Sequence, residues 1–363
     1  MNYREVEILA PEDLGTAGTK TIDINIADPI SSIELIWRTT VVTNALMLSP
    51  HANCISKVEI VDGSNVITSL SGMQAQALYY YTQGVLPHEE ISVDIGDYMS
   101  SVIPILFGRK LFDPLLALQP KKFTNPQIKV TWDEDAANTG VVANQLTVRA
   151  WVFDQKVIAP RGFLMAKEIK SFTPAANGYE YTDMPTDYIY RLIMLRQTST
   201  DKNPYEVLAT FKLSEEHDKR IPFDMTGDEI FRKINSGLPR IVTKIGLGET
   251  AAELNTLYQP ITFDFYGNVN YDADVIAAAD DYSQVTIAGN IVTVAATVAF
   301  VPYTLIASGY GPHHCLAVPC GDLRDIDDWY DVTKLGNLRL TTQGAAAVGT
   351  TPAAQIVLQQ LRS

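Results

Sequence analysis

His313-His314-Cys315, with Cys320 five residues on, brings together imidazole and thiolate, the two side-chain types that zinc prefers. The spacing does not suit a zinc knuckle, which pairs its ligands two to four residues apart. Neighbouring residues on a strand also point to opposite faces. The run is expected to be a turn entering a strand at Val318-Pro319. The acidic stretch Asp322–Asp331 (DLRDIDDWYD) offers carboxylate oxygens suited to calcium, but it lacks the twelve-residue loop with a central glycine. A charged loop at a solvent face or subunit contact is expected there. The alternation Asn268, Asn270, Asp272, Asp274 is expected to mark one polar face of a strand. His51, His88 and His217 lie among polar residues and are expected to be solvated. Cys54, Cys315 and Cys320 are an odd number of cysteines and are expected to be reduced, buried thiols.

No phosphate-binding GxGxxG or GxxxxGK[ST] and no nucleophile elbow GxSxG occurs. The reading is therefore no enzyme, with no catalytic, cofactor-binding or metal residue and no cofactor. Tyr79-Tyr80-Tyr81 could stack on bases, yet beside Leu78 on a helix they are expected to pack on protein. A net charge of -14, with no run of Lys and Arg longer than two, argues against direct sequence-specific nucleic-acid binding. No stretch has the roughly 18 apolar residues a membrane helix needs. No signal-peptide core opens the chain, so synthesis in the host cytoplasm is expected.

The elements that would position these residues are mostly strands. Ile22–Ile26, Ile33–Thr39, Lys57–Val61, Gln127–Trp132 and Gln145–Phe153 are short, rich in β-branched and aromatic residues, and bounded by Gly, Pro, Asn or Asp. The same holds for Tyr188–Leu195, Val207–Leu213, Ile261–Tyr266, Val285–Val294, Leu338–Thr342 and Gln355–Leu361. Helices are expected over Gly72–Gln83, Gly227–Asn235 and Glu249–Tyr258. An all-β chain with a few short helices follows.

The chain also repeats itself. Ile128-Lys129-Val130 matches Leu338-Arg339-Leu340, and Gln145 to Val148 matches Gln355 to Leu358, all at an offset of 210. Leu70-Ser71-Gly72 matches Met225-Thr226-Gly227 at an offset of 155. Ser71 with Gln74 and Thr226 with Glu229 both predict capping boxes, and Gly84 and Gly237 predict the helix stops. Ile103-Pro104 with Phe107-Gly108 echoes Val318-Pro319 with Cys320-Gly321. The growth in offset predicts an insertion of about 55 residues in the second copy. That insertion holds a hairpin signal, VTIAGNIVTV, turning at Gly289-Asn290, and an acidic cluster at Asp272, Asp274, Asp280 and Asp281. The chain thus divides into an N-terminal arm (1–20), a first sandwich (21–158), a linker (159–177) and a second sandwich (178–363).

Lys57–Tyr81, Ile103–Val130 and the closing NLRLTTQG…AAQIVLQQL resemble the double jelly-roll major capsid proteins of tailless icosahedral viruses. That lineage includes tectiviruses, corticoviruses, related marine bacteriophages and the adenovirus hexon. The resemblance implies two tandem eight-stranded jelly-roll sandwiches and a homotrimer with a six-sided outline, tiling the virion shell. It further implies a tower loop at about 267–311. The implied partners are neighbouring trimers, minor capsid and penton proteins, and a viral membrane beneath, reached through the N-terminal arm. A glycan-binding or glycan-cleaving β-sandwich would instead need an exposed tryptophan platform and paired carboxylates. A spike or minor capsid protein is the other alternative, and the tandem repeat speaks against it.

Overall fold

The computed structural model describes residues 2–47, 49–90, 96–136, 138–199, 202–247, 255–258, 262–263, 283–288, 291–296 and 303–363. The first half runs β1 (Tyr3–Leu14), β2 (Ala17–Asp23), β3 (Ile30–Met47), β4 (Ile55–Asp62), β5 (Asn65–Leu70), helix α1 (Gly72–Gln83), β6 (Glu89–Glu90), β7 (Tyr98–Leu106), β8 (Pro126–Asp133) and β9 (Asn138–Phe153). The second half runs β10 (Phe163–Phe172), β11 (Tyr179–Asp183), β12 (Ile189–Thr198), α2 (Pro204–Val207), β13 (Leu208–Glu215), β14 (Arg220–Thr226) and α3 (Gly227–Asn235). An insertion follows with β15 (Ile241–Leu247), β16 (Asn255–Tyr258), β17 (Thr262–Phe263), β18 (Ser283–Ala288), β19 (Ile291–Ala296) and β20 (Tyr303–Tyr310). β21 (Cys315–Pro319), β22 (Leu338–Gly344) and β23 (Ala353–Arg362) close the half.

The strand orders show the repeat. The first half contains β1-β9-β3-β7-β6 and β2-β8-β4-β5; the second contains β10-β23-β12-β21 and β11-β22-β13-β14. Matching β1–β5 to β10–β14, and β7–β9 to β21–β23, turns one set of orders into the other, with β6 as an addition. In both halves a helix follows the fifth strand. β5 and β10 then pair in parallel at Ser69↔Lys167, so one eight-stranded sheet runs through both halves.

Two segments need a fuller description. Residues 1–20, expected as an N-terminal arm, are extended and paired into both sheets. β1 pairs with β9 from Tyr3↔Phe153 to Leu14↔Asn144, and β2 pairs with β8. Pro11 is tolerated because β1 is an edge strand whose register shifts between Leu9 and Glu12. Residues 159–177, expected as a linker, contain β10, which lies between β5 and β23. Phe163, Leu164, Met165 and Ala166 are all buried there, a continuous apolar run suited to a strand covered on both faces.

β12 shows the same logic. Leu192 and Met194 join the core of the first half, while Ile193 and Leu195 join that of the second. Period-two alternation lets one strand serve two cores.

Both expected capping boxes form. Ser71 Oγ accepts from Gln74 N (3.2 Å) while Gln74 Oε1 accepts from Ser71 N (2.9 Å); Thr226 Oγ1 accepts from Glu229 N (3.2 Å) while Glu229 Oε2 accepts from Thr226 N (2.8 Å). Gly84 ends α1 in the left-handed region at φ 78°, whereas α3 ends on Ser236 rather than Gly237. Ser71→Ala and Thr226→Ala should each lower stability by about 1 kcal/mol. Urea unfolding midpoints measure this, and unchanged midpoints would refute the role of the caps. Asn255–Tyr258, expected to be helical, is strand β16, while 249–254 lie outside the described residues.

The insertion leaves and returns side by side. β15 and β20 pair from Ile241↔Gly309 to Leu247↔Tyr303. β18 and β19 form the expected hairpin, with Ala288↔Ile291 as the last pair before Gly289-Asn290. Those two turn residues, like Asn268, Asn270, Asp272, Asp274, Asp280 and Asp281, lie outside the described residues.

Candidate functional site at the seam between the halves

Helix α1 belongs to the first half but is packed by the second. Nine of its twelve residues are buried. Gln74 Nε2 donates to Glu168 Oε2 on β10 (2.6 Å) and to Gln355 Oε1 on β23 (3.2 Å). Gln355 Oε1 also accepts from Arg196 Nη1 (2.9 Å), and Arg196 Nη2 lies 3.7 Å from Met73 Sδ. Tyr80 and Tyr81 donate to the carbonyls of Pro239 (2.6 Å) and Cys315 (2.7 Å). The aromatic run therefore packs on protein, within the chain's own seam.

The histidine–cysteine run lies at this seam. Pro312–His314 form a turn that enters β21. His313 Nε2 donates to Gln76 Oε1 of α1 (2.7 Å), and His314 Nδ1 donates to Gln197 O (3.2 Å). Burial, with the Arg196 guanidinium nearby, pushes His313 down to about 3 and His314 to about 4. Burial pushes the Cys315 and Cys320 thiols up to about 12. Neutral rings engaged with Gln76 and Gln197, and neutral thiols, are a packing arrangement rather than a ligand set. Among the described residues, no group of three or more His, Cys, Asp or Glu is placed to hold a metal ion. Cys54 and Cys315 are buried, and Cys320 is half-buried.

Arg191 is the seam residue that sequence reasoning missed. It is 1% exposed. Its guanidinium donates to Leu323 O (3.2 and 3.1 Å) and Gln359 Oε1 (2.9 Å), and lies 5.5 Å from the Trp329 ring centroid. Nearby, Arg109 forms an ion pair with buried Asp113 (2.6 Å) and donates to Arg324 O (2.6 Å), tying the two halves together.

His51 is a further correction. It is fully buried rather than solvated. Its Nδ1 lies 3.0 Å from Ser101 Oγ, which donates to Glu89 Oε1 (3.0 Å), and its Nε2 lies 3.0 Å from Thr39 Oγ1. Serine, histidine and carboxylate thus meet, but in the wrong order for catalysis. The serine proton points at Glu89, away from the imidazole, and neither Ser101 nor His51 reaches solvent. The aspartates of the 322–331 loop cap their own backbone: Asp328 Oδ2 accepts from Asp322 N (2.6 Å), Asp322 Oδ1 from Arg324 N (2.8 Å) and Asp325 Oδ1 from Asp327 N (3.1 Å). Trp37, Trp132 and Trp329 are buried and Trp151 half-buried, so a tryptophan platform for sugars is not formed. Among the described residues, these histidines, cysteines and aspartates of the 313–331 stretch make contacts within the fold.

No family model and no curated protein matches the chain. Solved structures do. The STIV MCP aligns with a TM-score of 0.62 at 9% identity, over 99% of this chain and 96% of that one. The PBCV-1 virus capsid gives 0.57 at 10%, over 99% and 93%. The major capsid protein P2 of Bacteriophage PM2 gives 0.53 at 11%, over 99% and 98%. The chain shares its fold with these viral capsid proteins. Both halves align, so the likeness to these capsid proteins is not confined to one sandwich. At such identities it is a likeness of fold, and no residue's role carries across.

Proposed function

We propose that this chain is the major capsid protein of an icosahedral virus, built from two eight-stranded jelly rolls and acting as a homotrimer that tiles the shell. The observation that supports this best is the strand permutation, β1-β9-β3-β7 with β2-β8-β4-β5, recurring in the second half of a chain that aligns end to end with capsid proteins. With β6 and the insertion set aside, eight strands of one half correspond to eight of the other, in two sets of four each. Three copies of two like units can surround an axis with six near-equivalent contacts. The domain division becomes 1–158 and 159–363, since β1 and β10 each open a sandwich.

The insertion between α3 and β21 is the tower. Its ends meet in the β15–β20 ladder, so a long segment is added there at a modest cost in closure entropy. The location is the virion, and the partners are neighbouring trimers together with minor capsid and penton proteins. A viral membrane beneath the shell is a further partner, met by the N-terminal segment that carries β1.

Light scattering on the purified chain at micromolar concentration should give the mass of a trimer, and electron microscopy should show six-sided particles. A monomer under those conditions would overturn the proposal.

A further inference from the structure

The chain carries an excess of acid, yet one place on it is basic. The connection from β7 to β8, residues 107–125, holds Arg109, Lys110, Lys121 and Lys122 against one acid, Asp113, which is buried and paired with Arg109. Its counterpart from β21 to β22, residues 320–337, holds Arg324 and Lys334 against five aspartates. The crossing between the halves, residues 154–162, lies along the basic connection. Arg161 N donates to Leu115 O (2.9 Å) and Ala117 N to Gly162 O (3.0 Å). That crossing adds Lys156 and Arg161 against Asp154.

Aliphatic side chains stand out of the same surface. Val157 is 97% exposed, and Leu111 and Leu115 are exposed as well. The turn that carries Leu111 is held firmly. Phe112 has a left-handed φ of 57°, costly for an aromatic residue. Its N–H donates to Ser31 Oγ (2.6 Å) and its ring stacks on Tyr3 at 3.9 Å. Lys156 Nζ donates to the Tyr3 hydroxyl (3.3 Å), so the start of β1 braces both connections. Exposed valine and leucine beside lysines suit a surface that enters the headgroup layer of a bilayer. A nucleic acid would be met by cations with polar or aromatic groups and has no use for exposed aliphatic ones.

We propose that this end of the first half docks on an anionic phospholipid bilayer. Leu111, Leu115 and Val157 enter the headgroup layer, and Lys121, Lys122 and Lys156 meet the phosphates. This rests on the reading of a shell above a viral membrane and specifies its contact. The direction follows from the strands. The insertion runs into β21 and the acidic connection leaves it, so the two lie at opposite ends of that strand. The basic connection shares the acidic one's end, because Arg109 Nη1 donates to Arg324 O (2.6 Å). With the tower outside, both connections face the interior of the shell. The aspartates of the second half are repelled by anionic lipid, so contact falls on the first halves. One patch is small, but three in a trimer bind together and gain by avidity.

Co-sedimentation with vesicles tests this. At low salt the full chain should pellet with vesicles of phosphatidylglycerol and phosphatidylcholine, and stay in solution with phosphatidylcholine alone. Raising the ionic strength should release it. Lys121→Glu combined with Lys122→Glu should weaken binding about tenfold or more. Val157→Asp should weaken it too, while Lys334→Glu in the second half should leave it unchanged. All four side chains are exposed, so each variant should keep the wild-type melting temperature. Equal binding to neutral vesicles, or undiminished binding by the double lysine variant, would overturn the proposal. So would duplex DNA that displaces the vesicles at equal phosphate concentration. Six-sided trimers that ignore anionic vesicles would overturn this surface and leave the capsid reading standing. Monomers that bind the vesicles in the wild-type pattern would support the surface and overturn the trimeric reading.

Discussion

Lowering the pH from 7 to 4 should weaken the folded chain by about 3 kcal/mol for each of His51 and His313. Burial holds both rings to about 3 in the folded state, against an ordinary value of 6.5. A base with a depressed folded pKa contributes its full stability above the unfolded value. That stability is lost as the pH falls from about 6.5 towards 3, because the unfolded chain takes up protons that the folded chain refuses. His314, held at about 4, adds to the same loss. Glu89 acts in the other direction. Burial raises its carboxyl, so the folded state binds that proton more readily and acid costs it nothing. Glu34 is raised by burial in the same way, while Asp113, held low beside Arg109, adds to the acid loss; the three buried rings dominate between pH 7 and 4. Urea midpoints across pH 7 to 4 measure it. His51→Asn and His313→Asn should each start less stable at pH 7 and show a flatter dependence. Wild-type slope in both variants would mean that the sensitivity resides elsewhere.

Arg191→Ala should cost about 3 kcal/mol, and Arg191→Met clearly less. The guanidinium carries its charge at neutral pH, since burial lowers it only to about 10. Its hydrogen-bond partners are a carbonyl and an amide rather than a carboxylate. Alanine leaves a cavity beside Trp329 and strips a donor from Leu323 O. Methionine refills the volume and removes the desolvated charge, so only the lost hydrogen bonds remain. Equal losses in the two variants would show that the hydrogen bonds, not the filled volume, dominate at this place.

What could be read from the sequence was what neighbouring residues decide. The caps at Ser71 and Thr226 involve residues three apart, and both boxes form with the expected partners. The repeat was visible at Ile128–Val130 and Leu338–Leu340 because equivalent strands bury equivalent faces; β8 and β22 indeed occupy matching places. The edge pairing of β5 with β10 left no trace, since a parallel ladder joins segments without a turn between them. Residues 159–177 look like a linker only until β5 and β23 are placed on either side. His51 looked solvated beside Pro50 and Asn53, and its partners Thr39 and Ser101 come from distant strands. Arg191 contacts groups 132 and 168 residues away. Local reasoning assigns any arginine to the surface, and only the assembled seam reverses that.

The position of β23 bears on how the protein is made. It is synthesised long after β10 and β12, yet it lies between them, pairing with β10 through Phe163↔Arg362 and with β12 through Ile189↔Leu361. Until residues 353–362 leave the ribosome, two apolar strands wait with open edges and no mutual partner. Open edges of that kind recruit strands from other nascent chains. The seam that stiffens the finished molecule is therefore also a point at which its production is open to misassembly.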